Sequence, residues 1–241
     1  MRLKADLKMS TDWLNKDYRN IFMALIKNAF QNYDPLLLNQ LYGTENEKRK
    51  VNKQFTFFAR FPDYEGIQGN RINCGEKVTL YFSSPDEKIV IAFYNGLLNR
   101  KRIIIGENFP ITFSVQYVNL LPKKNINSDK VEFRTIAPVL VNETGSNYYL
   151  SPAVPEFSKA FKTVITQQAN IFNIPCSEDM IQFEINSMKK LPLSHYKQTM
   201  TSWMGEFVLE APAKVLQMVY DMGIGVRRSQ GFGMLDIIKI Y

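Results

Sequence analysis

The chain has 241 residues, a length that suits one large domain or two domains of about 100–150 residues each. Hydrophobic residues make up 45% of it, enough for a substantial core, yet no run approaches the roughly 18–20 consecutive apolar residues that a membrane span needs. The net charge of +7 favours polyanionic partners such as nucleic acid, through phosphate contacts and counterion release.

Cysteine and histidine are scarce. Cys74 and Cys176 are too few for a disulfide framework, which indicates a reducing cytoplasm. Because His195 is the single histidine, we expect no metal site of the Cys/His type, and the sequence predicts no cofactor. Charged and apolar residues alternate from Met1 to Ser10, so we expect no signal peptide there.

The first half of the chain alternates strand and helix patterns. Residues 2–9 alternate apolar and polar side chains, which predicts a strand, and residues 18–30 have apolar residues at helical spacing. Residues 35–42 lie between a proline and a glycine, as short helices do. Ser84 can cap a further helix with Pro85 at its first position. The other predicted strands are residues 54–61, 78–82, 103–105 and 111–118.

The second half repeats this order after a polar segment, residues 121–130, that is typical of a linker. Helices are predicted to begin at Pro155 and Pro212, and Gly223 can end the second of them. Residues 196–209 fit either a strand or a bent hairpin. The remaining predicted strands are residues 131–141, which Pro138 breaks, 180–188 and 234–240.

Each half therefore has the order strand–helix–strand–strand–helix–strand. This is the βαββαβ pattern of ferredoxin-like domains, with an antiparallel sheet covered by helices on one face. We predict an α+β protein of two tandem ferredoxin-like domains, residues 1–120 and 121–241.

The most informative stretch is a glycine-rich loop between the last predicted helix and the last strand. Glycine allows positive φ and a close approach of a ligand, and backbone N–H groups together with arginines can hold phosphates. A dinucleotide-binding loop is excluded because it would follow a strand and open a helix. The alternative interpretation, an ordinary turn with arginines on the surface, is left open. The candidate RNA-binding residues here are Gly223, Gly225, Arg227, Arg228, Ser229, Gln230, Gly231 and Gly233.

The loop together with its flanking residues is a far more specific sequence pattern than the glycines alone. Residues 203–209 (WMGEFVL), Pro212 and the stretch GIGVRRSQGFGML resemble the C-terminal signature of the CRISPR repeat-RNA endoribonucleases of the RAMP superfamily. Residues 134–140 (RTIAPVL) resemble the family's strand into the second domain, and residues 55–57 resemble a strand of the first domain.

This resemblance implies two RRM-like, ferredoxin-like domains side by side that grip a CRISPR repeat in pre-crRNA, with the glycine-rich loop against the RNA. It implies that the 2′-hydroxyl of the RNA attacks the neighbouring phosphate without a metal. The products would be a 2′,3′-cyclic phosphate and a 5′-hydroxyl. Two possible assemblies are left open: the chain could belong to a multisubunit CRISPR effector complex, or it could form a homodimer.

The reaction needs a proton acceptor, a proton donor and a cation near the phosphorane. Many family members use a histidine for the proton transfers, and by this resemblance Tyr42 occupies the position of that histidine. A free tyrosine has a pKa of about 10, so Tyr42 would be a poor base, but it could donate a proton or orient the phosphate; a packing role is the alternative. Members without the histidine are thought to use lysines, which makes Lys48, Lys50 and Lys53 catalytic candidates, with a solvated loop as the alternative.

Two further sets of residues are candidates for RNA contact. His195 and Lys197 lie in the second half, away from the expected catalytic position, and a plain surface loop is their alternative. Phe55, Phe57 and Phe58 could stack on unpaired bases, with core packing as the alternative for at least one face of that strand.

Three hypotheses remain. The first is a metal-independent endoribonuclease acting on CRISPR repeat RNA. The second is a catalytically inactive subunit that binds repeat RNA, because the usual histidine is missing. The third is a RAMP subunit that caps the 5′ handle of guide RNA in a larger complex. An unrelated basic enzyme with a phosphate loop conflicts with the order of elements around the glycines.

Overall fold

The computed structural model describes residues 1–43, 53–143, 145–146, 148–195 and 198–241. The chain divides into two compact units, Met1–Pro122 and Lys123–Tyr241. No described helix is long and apolar enough to cross a membrane. Cys74 is buried, Cys176 is half-buried, and both are free thiols.

The first unit has a five-stranded antiparallel sheet in the order β3-β6-β1-β8-β7 and a small sheet in the order β2-β5-β4. Its elements are β1 (Arg2–Met9), β2 (Trp13–Asn15), α1 (Arg19–Tyr33), α2 (Pro35–Tyr42), β3 (Thr56–Arg60), β4 (Gly66–Gln68), β5 (Arg71–Asn73), β6 (Lys77–Ser83), α3 (Glu87–Leu98), β7 (Arg102–Ile105) and β8 (Ile111–Leu120). The sequence β1-α1-β3-β6-α3-β8 is the βαββαβ order, and the four strands lie as they do in a ferredoxin-like domain.

The helices α1 and α3 cover one face of this sheet. The alternation in β1 places its apolar side chains, such as Leu3 and Leu7, on that face, where they are buried. Phe30 of α1 packs against Phe93 of α3 with ring centroids 5.9 Å apart. Each fully buried side chain of this size stabilises the fold by about 1.5–3 kcal/mol relative to exposure. The two helices touch closely because Gly96 has no Cβ, which would lie 2.2 Å from the Ala29 carbonyl oxygen.

The start of α3 differs from the prediction. Ser84 was expected to cap it, but α3 begins at Glu87, and the Asp86 carboxylate accepts a hydrogen bond from the Lys88 N–H at 2.9 Å. Ser84 is fully buried and its hydroxyl donates to the Gln54 carbonyl oxygen, so it ties β6 to the segment before β3 instead.

The second unit has a four-stranded antiparallel sheet in the order β10-β11-β9-β12. Its elements are β9 (Lys130–Thr135), α4 (Glu156–Ile171), β10 (Gln182–His195), β11 (Gln198–Glu210), α5 (Ala213–Met222) and β12 (Leu235–Ile240). This is again the βαββαβ order. The chain is thus a tandem of two ferredoxin-like folds, as predicted.

Two predictions for the second unit can be compared with the strands observed. The strand region of residues 131–141, predicted to be broken by Pro138, ends at Thr135, three residues before that proline, which has no N–H to continue a ladder. Of the two alternatives for residues 196–209, the strand is correct from Gln198 onward. This strand, β11, pairs with β10 as far as His195↔Gln198, whereas its pairing with β9 spans only Glu206 to Glu210. The β10–β11 hairpin therefore projects well beyond the edge of its pairing with β9.

Candidate functional site

The glycine-rich loop begins where Gly223, with φ 81°, ends α5. Gly225 and Gly233 have φ of 84° and 74° and lie against neighbouring backbone. A Cβ on Gly225 would lie 2.4 Å from the Leu140 carbonyl oxygen, and one on Gly233 would lie 1.9 Å from that of Ile224. All four glycines are buried. They give the loop its compact path, and protein atoms fill the space beside Gly225 and Gly233 that the prediction assigned to an RNA phosphate.

Backbone hydrogen bonds fix this path. The Ile224 N–H donates to the Gly233 carbonyl oxygen at 2.8 Å, which closes the loop on itself. The Val226 N–H donates to Leu140 at 2.9 Å, and the Gly233 N–H donates to Pro138 at 2.8 Å. The loop is thus bound to the stretch RTIAPVL, the other segment that carries the resemblance. A loop held in this way presents its side chains at fixed positions.

The two arginines of the loop have different environments. Arg227 adopts a left-handed conformation with φ 57°, and its half-exposed side chain places the guanidinium 5.6 Å from the Tyr149 ring centroid. Arg228 opens a 3₁₀ turn and is buried, and this burial lowers the pKa of its guanidinium to about 10. The prediction that Arg228 contacts RNA is therefore wrong for the loop as folded, because its charged group faces the protein interior. Arg227 remains available for a phosphate.

The structure also differs from the prediction for His195. Its side chain is fully buried, so it neither lies on a surface loop nor presents itself to RNA. Its Nε2 lies 3.1 Å from Oε1 of Gln230, which also accepts from Nη1 of Arg227 at 3.3 Å. A carbonyl oxygen can only accept, so Nε2 carries a hydrogen and donates. His195 also packs edge-on against Phe232, with ring centroids 5.4 Å apart, and so joins the end of β10 to the glycine-rich loop.

Three other predicted residues have simpler outcomes. Ser229 and Gln230 are half-buried within the 3₁₀ turn. Lys197 lies outside the described residues, and its RNA contact stays a prediction.

In the first unit, α2 positions Tyr42. The Asp34 carboxylate caps this helix by accepting from the Leu37 N–H at 2.9 Å, and Pro35 occupies its first turn. The helix ends at Tyr42 because Gly43 follows with φ 76°. The hydroxyl oxygen of Tyr42 is buried, so the predicted donation of a proton from Tyr42 to a substrate oxygen does not fit this structure. The ring, not the hydroxyl, makes the contacts of interest.

Two lysine ammonium groups lie against that ring. Nζ of Lys27 is 4.6 Å and Nζ of Lys53 is 4.3 Å from the centroid of the Tyr42 ring. Cation–π contacts of this kind contribute about 0.5–1 kcal/mol each at exposed sites. Burial, and secondarily the charge of Lys27, holds the pKa of Lys53 below its usual value. We call Lys27, Tyr42 and Lys53 the lysine–tyrosine cluster.

This arrangement can perform acid–base chemistry on a phosphodiester. Lys53, half-buried with a lowered pKa, exchanges its proton closer to neutral pH than an ordinary lysine. Lys27 is exposed and supplies a positive charge beside it. Lys27 was missed from the sequence because only the packing of α2 on α1 brings it to Tyr42. Lys48 and Lys50, predicted as catalytic, lie outside the described residues. Within the described part of the chain, no three His, Cys, Asp or Glu side chains are grouped to hold a metal ion.

The aromatic strand β3 divides its side chains between two faces. Phe55 and Phe57 are buried in the core, so the alternative of core packing is correct for them. Phe58 points to the opposite face, where it is half-exposed and its ring stacks beside that of Tyr81, with centroids 6.4 Å apart.

Comparison with known proteins finds a family model similar to the second unit and a relative similar to nearly the whole chain. The family model for the CRISPR-associated protein Cas6, C-terminal, matches residues 120–237. The CRISPR-associated endoribonuclease Cas6 1 of Methanocaldococcus jannaschii is 23% identical over 247 residues, which cover 97% of this chain and 92% of that protein.

Two solved structures share the fold over the whole length. The Cas6-related protein from Pyrococcus furiosus superposes with a TM-score of 0.81 at 19% identity and covers 100% of this chain and 99% of its own. A structure described as an RAMP protein binding different RNA substrates has a TM-score of 0.79 at 19% identity and covers 99% of this chain and 100% of its own.

Proposed function

We propose that this chain is an endoribonuclease that binds CRISPR repeat RNA and cleaves pre-crRNA, because the family model for the Cas6 C-terminal region matches residues 120–237. The observation that carries the catalytic part is the lysine–tyrosine cluster. It lies at the end of α2, where the family resemblance places the catalytic side chain, and it contains a lysine with a lowered pKa.

In the proposed reaction the RNA supplies its own nucleophile. The 2′-hydroxyl oxygen forms a bond to the adjacent phosphorus, and the bond from phosphorus to the 5′ oxygen of the next nucleotide breaks. The products are a 2′,3′-cyclic phosphate and a 5′-hydroxyl. Neutral Lys53 accepts the proton of the 2′-hydroxyl, and its conjugate acid can return a proton to the leaving oxygen. The exposed ammonium of Lys27 stabilises the negative charge that develops on the phosphorane oxygens.

Tyr42 is a positioning residue in this account. Its ring contacts both ammonium groups, which lie 4.6 and 4.3 Å from its centroid. The two lysines would repel each other if they were in direct contact, and the face of the ring offsets part of that repulsion. Lys48 and Lys50 are proposed to add positive charge near the scissile phosphate.

Arg227 is the proposed phosphate contact of the second unit. Its guanidinium is fixed by Tyr149 on one side and Gln230 on another, while the side chain stays half-exposed. A guanidinium held in advance loses less side-chain entropy when it binds a phosphate. The buried glycines, Arg228 and His195 are proposed to act through the shape of the loop, and Lys197 is proposed to contact the RNA.

The test is incubation of the purified chain with end-labelled cognate repeat RNA in EDTA. We expect one specific cut, with a cyclic phosphate on the upstream fragment, and loss of the cut in Lys53→Met. Lys101→Met, which removes an exposed lysine near β7, is the matched control and should cut normally. Tight binding of the repeat without any cut would instead support a catalytically inactive RNA-binding subunit.

A further inference from the structure

Two aromatic rings form a flat patch on the sheet face that α1 and α3 leave uncovered. Phe58 of β3 and Tyr81 of β6 are direct cross-strand partners, with ring planes 22° apart. Their neighbours along the strands, Phe57 and Phe82, form the preceding cross-strand pair and are buried on the helix-covered face. Because side chains alternate between faces, Phe58 and Tyr81 are on the opposite face, where both are half-exposed.

Positive side chains flank this pair of rings. Lys4 of β1 is the register partner of Tyr81, and Arg60 is two residues beyond Phe58 on the same face of β3 and is exposed. Asp6 on the same face forms an ion pair with Nζ of Lys4 at 3.1 Å and accepts from the Thr79 hydroxyl at 2.8 Å, so its charge is balanced by that of Lys4. Arg60 adds a positive charge beside the rings, in a chain with a net charge of +7.

A polar groove continues from the rings along the same sheet. It has a volume of about 590 Å³ and is lined by Asp6, Lys8, Thr79, Gln116 and Tyr117 among others. Its side chains offer hydrogen-bond donors and acceptors. Tyr117, 70% exposed, adds a third aromatic ring to this face.

We propose that Phe58 and Tyr81 form a base-stacking platform for an unpaired segment of RNA, with Lys4 and Arg60 at its phosphates and the polar groove at a base edge. Single-stranded nucleic acid offers flat bases that can stack on aromatic rings and negatively charged phosphates that can pair with cations. In other RNA-binding proteins, aromatic rings on adjacent strands of a ferredoxin-like sheet stack with bases in this way. The proposal rests on the proposed function, because it assumes that the chain binds RNA.

The first arm of the test measures affinity. The double variant Phe58→Leu, Tyr81→Leu keeps apolar bulk but removes both π faces. We expect it to bind single-stranded repeat RNA about tenfold to a hundredfold more weakly than the wild type and to bind a blunt RNA duplex equally well. Tyr33→Leu, which removes an exposed ring at the end of α1, is the matched control and should change neither affinity.

The second arm needs no variant. Repeat RNA carrying 4-thiouridine is irradiated with the wild-type chain, and the adducts are mapped by mass spectrometry, with Phe58 or Tyr81 expected as attachment sites. Full single-strand affinity in the double variant, together with adducts only elsewhere, would overturn the platform and leave the proposed function standing. Equal weakening for the duplex would also overturn it, since stacking of unpaired bases cannot explain that result. A wild-type chain that binds no RNA would overturn the proposed function and the platform together.

Discussion

The ammonium group of Lys53 lies 4.3 Å from the centroid of the Tyr42 ring. With Lys27 at 4.6 Å from the same ring, this contact places a lysine of lowered pKa beside a second positive charge at the end of α2. The family resemblance leads one to look for a histidine at this position. We propose that Lys53, whose amine has a lowered pKa, acts in place of that histidine, and the predictions below begin with this amine.

Lys27→Met should move the pH dependence of cleavage to higher pH. If neutral Lys53 is the base, the rate rises with pH until the pKa of Lys53 is passed. The charge of Lys27 helps to lower that pKa, so its removal should raise the pKa and shift the rising limb upward. Single-turnover cleavage rates measured across a pH series would show this. A profile that keeps its position in Lys27→Met would contradict the coupling of the two lysines.

Tyr42 should tolerate loss of its hydroxyl but not of its ring. Tyr42→Phe keeps the surface on which both ammonium groups rest and should retain most of the cleavage rate. Tyr42→Leu removes about 0.5–1 kcal/mol of cation–π attraction for each lysine, and we expect a clear loss of rate and a changed pH profile. RNA affinity, measured in parallel, should stay constant in both variants. A rate for Tyr42→Phe as low as that for Tyr42→Leu would return the proton-donor role to the hydroxyl.

Replacement of each of the two loop arginines should have a different effect on the salt dependence of RNA binding. Arg227→Ala should weaken RNA binding and reduce the slope of log affinity against log salt by about one, as loss of one phosphate contact does. Arg228→Ala should leave that slope unchanged, because the guanidinium of Arg228 is buried. The experiment is an affinity titration at several salt concentrations. An equal reduction of the slope in both variants would mean that Arg228 reaches the RNA.

His195 and Gln230 should be energetically coupled. We expect His195→Ala to lower the free energy of unfolding by about 2–3 kcal/mol, since it leaves a cavity beside Phe232 and a lost hydrogen bond. Gln230→Ala should lower it by about 1 kcal/mol. A double-mutant cycle in denaturant should give a coupling of about 1 kcal/mol. Strict additivity would show that the 3.1 Å contact contributes nothing to stability.

Gly233 should not accept a side chain. In Gly233→Ala the new Cβ would lie 1.9 Å from the Ile224 carbonyl oxygen, and the residue would keep φ of 74°. We expect a loss of about 3 kcal/mol or more from strain and overpacking combined. Gly145→Ala is the matched control, because Gly145 has φ of 81° but nothing within 4 Å of its Cβ position, and should cost only about 1–2 kcal/mol. Thermal unfolding of both variants provides the comparison.

The fold was predictable because both ferredoxin-like units have clear periodicity. The alternation in residues 2–9 and the helical spacing in residues 18–30 are local properties, and they specify β1 and most of α1. The break of the strand region 131–141 at Pro138 is also readable from the sequence, although β9 ends three residues earlier, at Thr135.

The candidate site was predictable only in outline. The sequence gives no reason to distinguish Arg227 from Arg228. In the structure, Arg227 adopts a left-handed conformation and is half-exposed, whereas the side chain of Arg228 is buried. The burial of His195 depends on the docking of a distant loop, and the role of Lys27 depends on the packing of two helices. Such contacts join residues far apart in sequence, and no spacing rule encodes them.

The most direct test of the account is a single 2′-deoxy substitution in the repeat RNA, at the nucleotide whose 2′-hydroxyl lies next to the mapped cut. The account predicts that this RNA binds as the unmodified repeat does and is not cleaved, because the nucleophile has been removed from the substrate. Cleavage of the 2′-deoxy RNA at the same bond would contradict the account, since the attacking oxygen would then have to come from elsewhere.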